Sequence, residues 1–434
     1  PHSIQKNKIY GRLAQLYSQH DFIENGFIIR FVNGRGYDFV AWKITSDSLF
    51  YVVEVKYNKS RLSKLQKLIR EITERNQTCK FHEGAKAIDD FIINNLSQVY
   101  IPITRGELWD EDEEKKNRRL AIYAVLSKVL KTINILIHPF CPFTSEYLYQ
   151  TVFDGKQSIL LDKWPQYQES LVNEEIEESF DIMKDVVSVS YAARMKGKLK
   201  RRWPLNKAQI CVRKGQKIKL ESLSDLLQSQ LNIEKFSIVE TEKESGLEQI
   251  LELKQLGLPV KAVVELERKR IGPKVKQHMG KLVSIFTETN PEEIISSLQK
   301  DGKFDFNIDG ETISLNSEDF VVDFDANENF AVSKRDNYIV FISTLRNKEM
   351  MAKGLVKDVA RRLQTLRKER GYNPTDVLEI ASILDLDKES LEMVKEKTKD
   401  LAFLVRVKQV NFTESCKEYK DDDIDGQKIR ISVE

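Results

Sequence analysis

Three ionisable side chains in the N-terminal part of the chain have the spacing of a metal-dependent phosphodiesterase site. Glu54 and Lys56 are two residues apart in a β-branched and aromatic run, so in a strand both would point to the same face. Asp38, beside an earlier Gly-rich turn, could add a second carboxylate. The two carboxylates could hold Mg²⁺ while Lys56 positions a water for phosphodiester hydrolysis. The alternative is an exposed charged pair at a strand end.

A second candidate site is a stretch of positive charge. Residues 191–220 contain 11 Lys and Arg and no Asp or Glu, although the whole chain has a formal charge of only +2. Such clustering suits a phosphate backbone, and Tyr191 and Trp203 could stack on unpaired bases. The alternative is a solvated surface with Trp203 in the core.

The composition excludes several classes of protein. A chain of 434 residues with 41% hydrophobic residues predicts two to four globular domains. Wholly apolar runs fall short of the roughly 18 residues that span a bilayer, and the N-terminus has no secretory pattern. Four separated Cys without C-x-x-C and five unpaired His predict neither disulfides nor zinc. We therefore expect a monomeric cytoplasmic protein with no membrane partner.

Hydrophobic periodicity predicts a multidomain α+β fold. It comprises a small α/β unit at 1–78, an antiparallel helical bundle at 81–203, a mixed α+β domain at 204–345 and a small α+β domain at 346–434. Asp309-Gly310 and Asp425-Gly426 each predict a tight hairpin. No fixed-period internal repeat is visible. The predicted elements include strands at 27–31, 37–42, 49–56, 206–212, 217–220, 236–240, 304–308, 311–315, 337–344 and 377–383, and helices at 61–75, 85–100, 120–137, 174–195, 223–230 and 390–401.

The residues around the first site occur in a familiar order. Tyr37-Asp38-Phe39, the run 50–56 and the R-L-S-x-x-Q pattern at 61–66 resemble PD-(D/E)xK nucleases of the Holliday-junction-resolvase-like type. The resemblance implies Asp38 and Glu54 as Mg²⁺ ligands, Lys56 as the catalytic lysine and Gln66 as a helix residue beside the site. Residues 5–19 lack the Glu that the family usually has in its first helix. An incomplete metal shell would bind DNA or RNA without cutting it.

The rest of the chain carries a second set of motifs. They are the helical pattern 87–100, the sequence H-P-F-C-P-F at 138–143, Trp164-Pro165 and K-L-K-R-R-W-P-L at 198–205. In this order they resemble the anticodon-binding region of isoleucyl-tRNA synthetases, which are class I aminoacyl-tRNA synthetases. The stretches 272–281 and 349–377 are similar to the C-terminal region of the archaeal and eukaryotic type, and the resemblance begins at about residue 81.

This second resemblance implies a tRNA-binding module whose partner is isoleucine tRNA. The H-I-G-H and K-M-S-K-S motifs of the family's ATP site are absent from the sequence, so we expect no ATP binding, isoleucine activation or editing by this stretch. Recognition would combine phosphate contacts with splayed, stacked bases. The resemblance implies the following tRNA-binding residues: Asn94, Asn95, Ser97, Tyr100, Arg194, Lys198, Arg201, Arg202 and Trp203.

A further basic cluster lies later in the sequence. It either extends the tRNA surface or forms an exposed turn. Its members are Arg268, Lys269, Arg270, Lys274 and Lys276.

Three hypotheses follow. The first is a tRNA-binding portion of an isoleucyl-tRNA synthetase joined to a nuclease-like segment. The second is an autonomous Mg²⁺-dependent endonuclease that uses residues 1–78 for chemistry. The third is that residues 78–81 are an artificial or accidental joint between two unrelated parts, and the start at Pro1 without Met favours a truncated piece.

Overall fold

The computed structural model of the protein describes residues 27–31, 39–43, 56–108, 116–152, 158–373 and 376–434. The chain separates into two compact units, Pro1–Lys184 and Asp185–Glu434. The predicted mixed α+β multidomain architecture is confirmed. The finer four-domain division stays a prediction.

The first unit begins with an antiparallel strand pair. Strands β1 (Phe27–Phe31) and β2 (Phe39–Lys43) pair with Phe31 opposite Phe39, which confirms two predicted strands. The third predicted strand, 49–56, lies outside the described residues except for Lys56. Lys56 begins a helix, so its assignment to a strand was wrong.

Helices form the rest of the first unit. In chain order they are α1 (Lys56–Gln77), α2 (Phe81–Asp90), the π-helical segment Phe91–Tyr100, α3 (Ile101–Leu108), α4 (Lys116–Ile137), α5 (Pro142–Val152), two 3₁₀ turns (Ile159–Leu161 and Glu169–Leu171) and α6 (Glu174–Lys196), which crosses into the second unit.

Helix α1 is part of this helical region. It packs against α2 and α4, and Leu65 and Ile72 on its apolar face are fully buried. Gln66 is also buried and accepts a hydrogen bond from the main-chain N–H of Gln168 at 2.8 Å. The predicted boundary at 78–81 therefore falls between two helices that pack together.

Helix α4 is, among the described residues, the one helix that is long and apolar enough to cross a bilayer by length and composition. However, 61% of its most apolar stretch is buried within the protein. Ile122 and Leu136 are fully inaccessible to solvent. Buried core helices have the same length and apolar composition, so these two properties alone are weak evidence for a membrane span.

The second unit alternates strands and helices. Its helices are α7 (Lys217–Glu221), α8 (Ser224–Leu231), α9 (Gly246–Gln255), α10 (Arg268–Val275), α11 (Met279–Glu288), α12 (Pro291–Asp301), α13 (Lys348–Glu369), α14 (Lys388–Glu396) and α15 (Thr398–Val405), with 3₁₀ turns at Lys276–His278 and Ser317–Asp319. Its strands are β3 (Leu205–Arg213), β4 (Ile233–Thr241), β5 (Val260–Leu266), β6 (Lys303–Ile308), β7 (Glu311–Asn316), β8 (Phe320–Ala326), β9 (Phe330–Arg335), β10 (Tyr338–Ser343), β11 (Leu378–Leu384), β12 (Val407–Asn411), β13 (Lys420–Ile424) and β14 (Gln427–Val433).

Local sequence signals succeed and fail in recognisable places. Both predicted hairpins form, with positive φ at Asp309 (54°), Gly310 (85°), Asp425 (56°) and Gly426 (89°), as a two-residue turn of this type requires. The predicted strand at 217–220 is instead helix α7. Four residues of alternating polarity are too few to distinguish the two-residue period of a strand from the 3.6-residue period of a helix.

Two four-stranded sheets in the second unit have the same topology. In the first, β3 pairs in parallel with β4 and antiparallel with β10, which pairs with β9. In the second, β11 pairs in parallel with β12 and antiparallel with β14, which pairs with β13. A helix precedes each module, and two helices connect each parallel pair. We name them the first module (α6 to β4 with β9 and β10) and the second module (α13 to β14).

A buried arginine makes the same four bonds in each module. Arg194 donates to the carbonyls of residues 6, 9, 37 and 38 positions later, and Arg367 to those 6, 9, 38 and 39 positions later. In both cases two acceptors lie in the turn before the first strand and two lie where the second connecting helix ends. This arginine clip shows an internal structural repeat that the sequence analysis missed, because residues 242–329 interrupt the first module.

Ile72→Ala should destabilise the first unit by about 2–5 kcal/mol, because it removes a fully buried side chain between α1 and its neighbours. Glu74→Ala, an exposed change on the same helix, should stay within about 0.5 kcal/mol. Urea unfolding followed by circular dichroism measures both. Equal stability of the two variants would show that α1 is not part of this core.

Arg367→Lys should destabilise the second unit by at least about 3 kcal/mol. A lysine ammonium lacks the planar fork that reaches two pairs of carbonyls, and buried unpaired carbonyls cost about 1–3 kcal/mol each. Arg361→Lys, an exposed change on the same helix, is the matched control. Thermal unfolding of the intact chain separates them, and a similar midpoint for both would contradict the arginine clip.

Candidate nucleic-acid interface

The basic stretch predicted to bind tRNA divides into buried and exposed cations. Arg194 is 1% exposed, and its bonds run only to main-chain carbonyls at 2.7–3.2 Å. Burial lowers its pKa to about 10. A guanidinium held in this way cannot reach a phosphate, so its predicted role as a tRNA contact was wrong and its role is structural.

Trp203 is held against helix α13 by a buried carboxylate. Asp358 is 2% exposed and accepts from the indole N–H of Trp203 at 3.1 Å and from Lys200 Nζ at 2.9 Å, and it forms an ion pair with Arg202. These partners are 155–158 positions apart in sequence. Two of the predicted binding residues, Arg202 and Trp203, therefore meet at one acidic residue that no local pattern could reveal.

Cations cover the ring of Trp203. Arg346 Cζ lies 4.0 Å and Lys200 Nζ 4.7 Å from the ring centroid. A Cβ built on Gly354 would approach Trp203 Cδ1 to 2.9 Å, so only glycine fits beneath the ring. Trp203 is thus a packed cation–π centre and not an open stacking platform.

Burial and neighbouring cations perturb the arginines around Trp203. Burial lowers the pKa of Arg202, and the nearby Arg361 and Arg362 lower it further, whereas Asp425 opposes them. Burial likewise lowers the pKa of Arg346. Among the described residues, Arg361 is exposed and has no carboxylate within ion-pair distance.

Lys198 and Arg201 remain on the surface. Lys198 is exposed with φ of 54°, and Arg201 is exposed with its guanidinium 4.0 Å from the ring centroid of Tyr191. Further along the stretch, carboxylates neutralise the cations: Arg213 pairs with Glu244, and Lys214 with Glu242 at 3.0 Å. Lys198 and Arg201 in the turn before β3 therefore stay exposed, as do Lys196 at the end of α6 and Lys207 on β3.

The other predicted contact residues lie in the first unit. Asn94 donates to Asp90 Oδ1 at 2.7 Å, Asn95 is half-buried and Ser97 is exposed, all within the π-helical segment. Tyr100 is 1% exposed, and its hydroxyl donates to Asn58 Oδ1 at 2.6 Å. Tyr100 therefore has a structural role, which corrects the prediction that it contacts tRNA. The remaining three stay accessible.

Two cations of the later basic cluster form ion pairs within the fold. Arg270 pairs with Glu318, and Lys274 pairs with the buried Asp319 at 2.6 Å. Arg268 and Lys269 are exposed. The described part of the cluster is therefore a weaker candidate than the turn before β3.

The nuclease prediction gains no support from the described residues. Asp38 and Glu54 lie outside them, whereas Lys56 begins α1 and Gln66 is buried against Gln168. Lys56 and Gln66 thus belong to a packed helix and not to a strand-edge site. No group of three His, Cys, Asp or Glu in the described ranges could hold a metal ion.

Comparison with known proteins places α1 in the same domain as the helices that follow it. Residues 58–210 match the family model of the anticodon-binding domain of tRNA ligase. The match begins within α1, before the predicted boundary at 78–81. It extends through the turn before β3.

Similarity to individual proteins extends further. The isoleucine–tRNA ligase of Sulfolobus acidocaldarius is 27% identical over 346 residues, which cover 78% of this chain and 31% of the relative. Those of Methanopyrus kandleri (25%; 86% and 33%) and Clostridium tetani (26%; 88% and 35%) are similar to the same degree. The similarity to isoleucine–tRNA ligases therefore covers most of this chain. It spans about a third of the length of these curated relatives, which do not single out the archaeal type.

Gly354→Ala should destabilise the second unit, because the clash with Trp203 outweighs the gain in helix propensity. Overpacking costs about 1–3 kcal/mol, against a gain of about 1 kcal/mol for Gly to Ala in a helix. Gly84→Ala in α2, where the nearest atoms are 3.6 Å from a built Cβ, should instead stabilise. Chemical unfolding with tryptophan fluorescence measures both. A stabilising Gly354→Ala would contradict the packing of Trp203 on α13.

Proposed function

We propose that this chain binds isoleucine tRNA as the tRNA-binding portion of an archaeal-type isoleucyl-tRNA synthetase, serving isoleucyl-tRNA aminoacylation. The turn before β3, residues 197–203, supplies the phosphate contacts. The surface of Asn94, Asn95 and Ser97 supplies polar contacts to the anticodon stem-loop. The ATP-dependent chemistry belongs to the relatives' other regions, because the sequence lacks the signature motifs of the ATP site.

The observation that carries this proposal is the internal comparison between modules. Both modules fasten the turn before the first strand with an arginine clip. In the second module this turn has the sequence R-G-Y-N-P-T-D, whereas in the first it has G-K-L-K-R-R-W. The fold therefore forms the turn without a cluster of cations. Positive charge in the first module is then available for a ligand.

Individual positions in the two turns sharpen this argument. Lys198 has positive φ (54°), as does Gly371 (80°) at the corresponding place after the second clip arginine. Glycine adopts this conformation at little cost, whereas a lysine there is strained. The repeat has glycine at this position, so the fold does not require a lysine there, and the exposed ammonium is available for a contact outside the fold. Phosphate is the partner that suits such a cation.

The neighbouring cations extend the surface toward α13. Arg201 is exposed beside Lys198, and Arg361 is exposed near the group that surrounds Trp203. The ion pairs to Asp358 and Asp425 fix Lys200 and leave this cluster with an excess of positive charge. Fixed cations hold neighbouring side chains in place, so a bound phosphate would meet a preformed surface.

The double substitution Lys198→Gly and Arg201→Ala should weaken binding of isoleucine tRNA without destabilising the protein. Loss of two phosphate contacts should reduce the slope of log affinity against log salt by about 1.4 to 1.8. Glycine at 198 should preserve or raise stability because of the positive φ. Filter binding at several salt concentrations measures the slope.

Two controls make this test specific. Lys261→Ala removes an exposed cation on β5 and should leave the slope unchanged. An unrelated tRNA should bind the unmodified chain more weakly than isoleucine tRNA. Equal affinity for both tRNAs would reduce the interaction to non-specific electrostatics, and an unchanged slope in the double variant would reject the turn as the contact.

A further inference from the structure

A groove of about 870 Å³ lies between the two modules of the second unit. Helix α8 and the start of β4 form one wall, α15 forms the other, and α13 lies at the floor. Pro204, Ile233 and Val356 give it a buried apolar base. The groove is separate from the turn that carries Lys198 and Arg201, since neither residue lines it.

The floor of the groove is positively charged. Lys357 is half-buried there, and the only polar atom paired with its Nζ among the described residues is Asn232 Oδ1, at 3.5 Å. Arg194 lies directly behind, bonded to the carbonyls of Leu231 and Asn232 and to no carboxylate. Burial lowers the pKa of Lys357, and the charges of Arg194 and Lys353 lower it further. Two cations without a paired carboxylate favour an anionic group at this place.

The walls of the groove provide an aromatic ring and two carboxylates. Phe403 on α15 is 81% exposed, which leaves a ring face for a flat apolar group. Asp225 and Asp400 are exposed in the first turns of α8 and α15, and they also line the groove. They would accept hydrogen bonds from donors on a ligand. Glu234 does not add free charge, because it lies 3.9 Å from Lys353.

We propose that this groove binds an unpaired nucleotide, with its phosphate at Lys357, its base on Phe403 and an exocyclic amine at Asp225 or Asp400. A nucleotide combines an anion, a flat ring and amine donors, which match Lys357, Phe403 and the two aspartates in turn. A peptide of acidic residues offers no flat ring for Phe403, and a basic peptide would be repelled by Lys357 and Arg194. The proposal deepens the proposed tRNA-binding function by assigning a base-binding site distinct from the phosphate-binding turn.

The preference among bases follows from the aspartates. Cytosine offers an amine at N4, which carboxylates accept, whereas uracil has a carbonyl at the corresponding position. We therefore expect cytosine to bind more tightly than uracil. Replacement of both Asp225 and Asp400 by Asn should reduce that difference.

The test uses the intact chain and 5′-phosphorylated, fluorescein-labelled trinucleotides of cytidine and of uridine, measured by fluorescence anisotropy. Phe403→Ala should lower affinity by about 5-fold to 100-fold, the range for loss of one base–aromatic stack. Lys357→Met should lower affinity and reduce its salt dependence. Because Phe403 is exposed, its variant tests the groove even where Lys357→Met perturbs folding. Lys261→Met and Ile218→Ala, both at exposed sites outside the groove, should bind within twofold of the unmodified chain.

Several results would overturn the groove site. They are no trinucleotide binding, unchanged binding by both groove variants, or tighter Lys357-dependent binding of a hexaglutamate peptide, which would assign the groove to acidic peptides. Failure of the proposed function looks different. If trinucleotides bind through Phe403 but isoleucine tRNA has no advantage over another tRNA, the groove stands and the tRNA assignment fails. If groove variants keep full tRNA affinity and turn variants lose it, only the groove fails.

Discussion

A buried guanidinium that satisfies four main-chain carbonyls is the interaction on which the second unit depends. Carbonyls at a helix end and in a turn before a strand have no partner in regular structure, and leaving them buried and unpaired is costly. Arg194 and Arg367 meet this need with one planar fork each. Each arginine thereby fastens its helix to both parallel strands of a sheet, which explains why two modules with different turns share one topology.

This arrangement divides the positive charge of residues 191–220 into separate tasks. Arg194 closes the fold, Lys200 and Arg202 neutralise the buried Asp358, and the cations at 213 and 214 pair with glutamates. Lys198 and Arg201 stay exposed in the turn, with Lys196 and Lys207 exposed on either side of it. Only part of this basic stretch is therefore available to meet a phosphate. The second module, which has no such cluster in its turn, serves as an internal reference.

The sequence predicted the parts that local pattern determines. Long amphipathic helices and both Asp-Gly hairpins follow from side-chain period and from positive φ at the turn. The carboxylate that holds Trp203 could not be predicted, because Asp358 is 155 positions away. The repeat escaped notice because residues 242–329 separate β4 from β9. Lys56 was wrongly assigned to a strand because a short motif resembled a nuclease, whereas it begins helix α1. Gln66 lies on a helix as predicted, and its buried side chain bonds to Gln168.

Lysine-modification footprinting of the intact chain, with and without isoleucine tRNA, tests the central claim most directly. Lys198 in the first module and Lys368 in the second are both exposed and lie near equivalent turns. Isoleucine tRNA should protect Lys198 from acetylation and leave Lys368 reactive. Equal protection of the two lysines, or protection of Lys368 alone, would contradict the assignment of the first module's turn as the tRNA-binding surface.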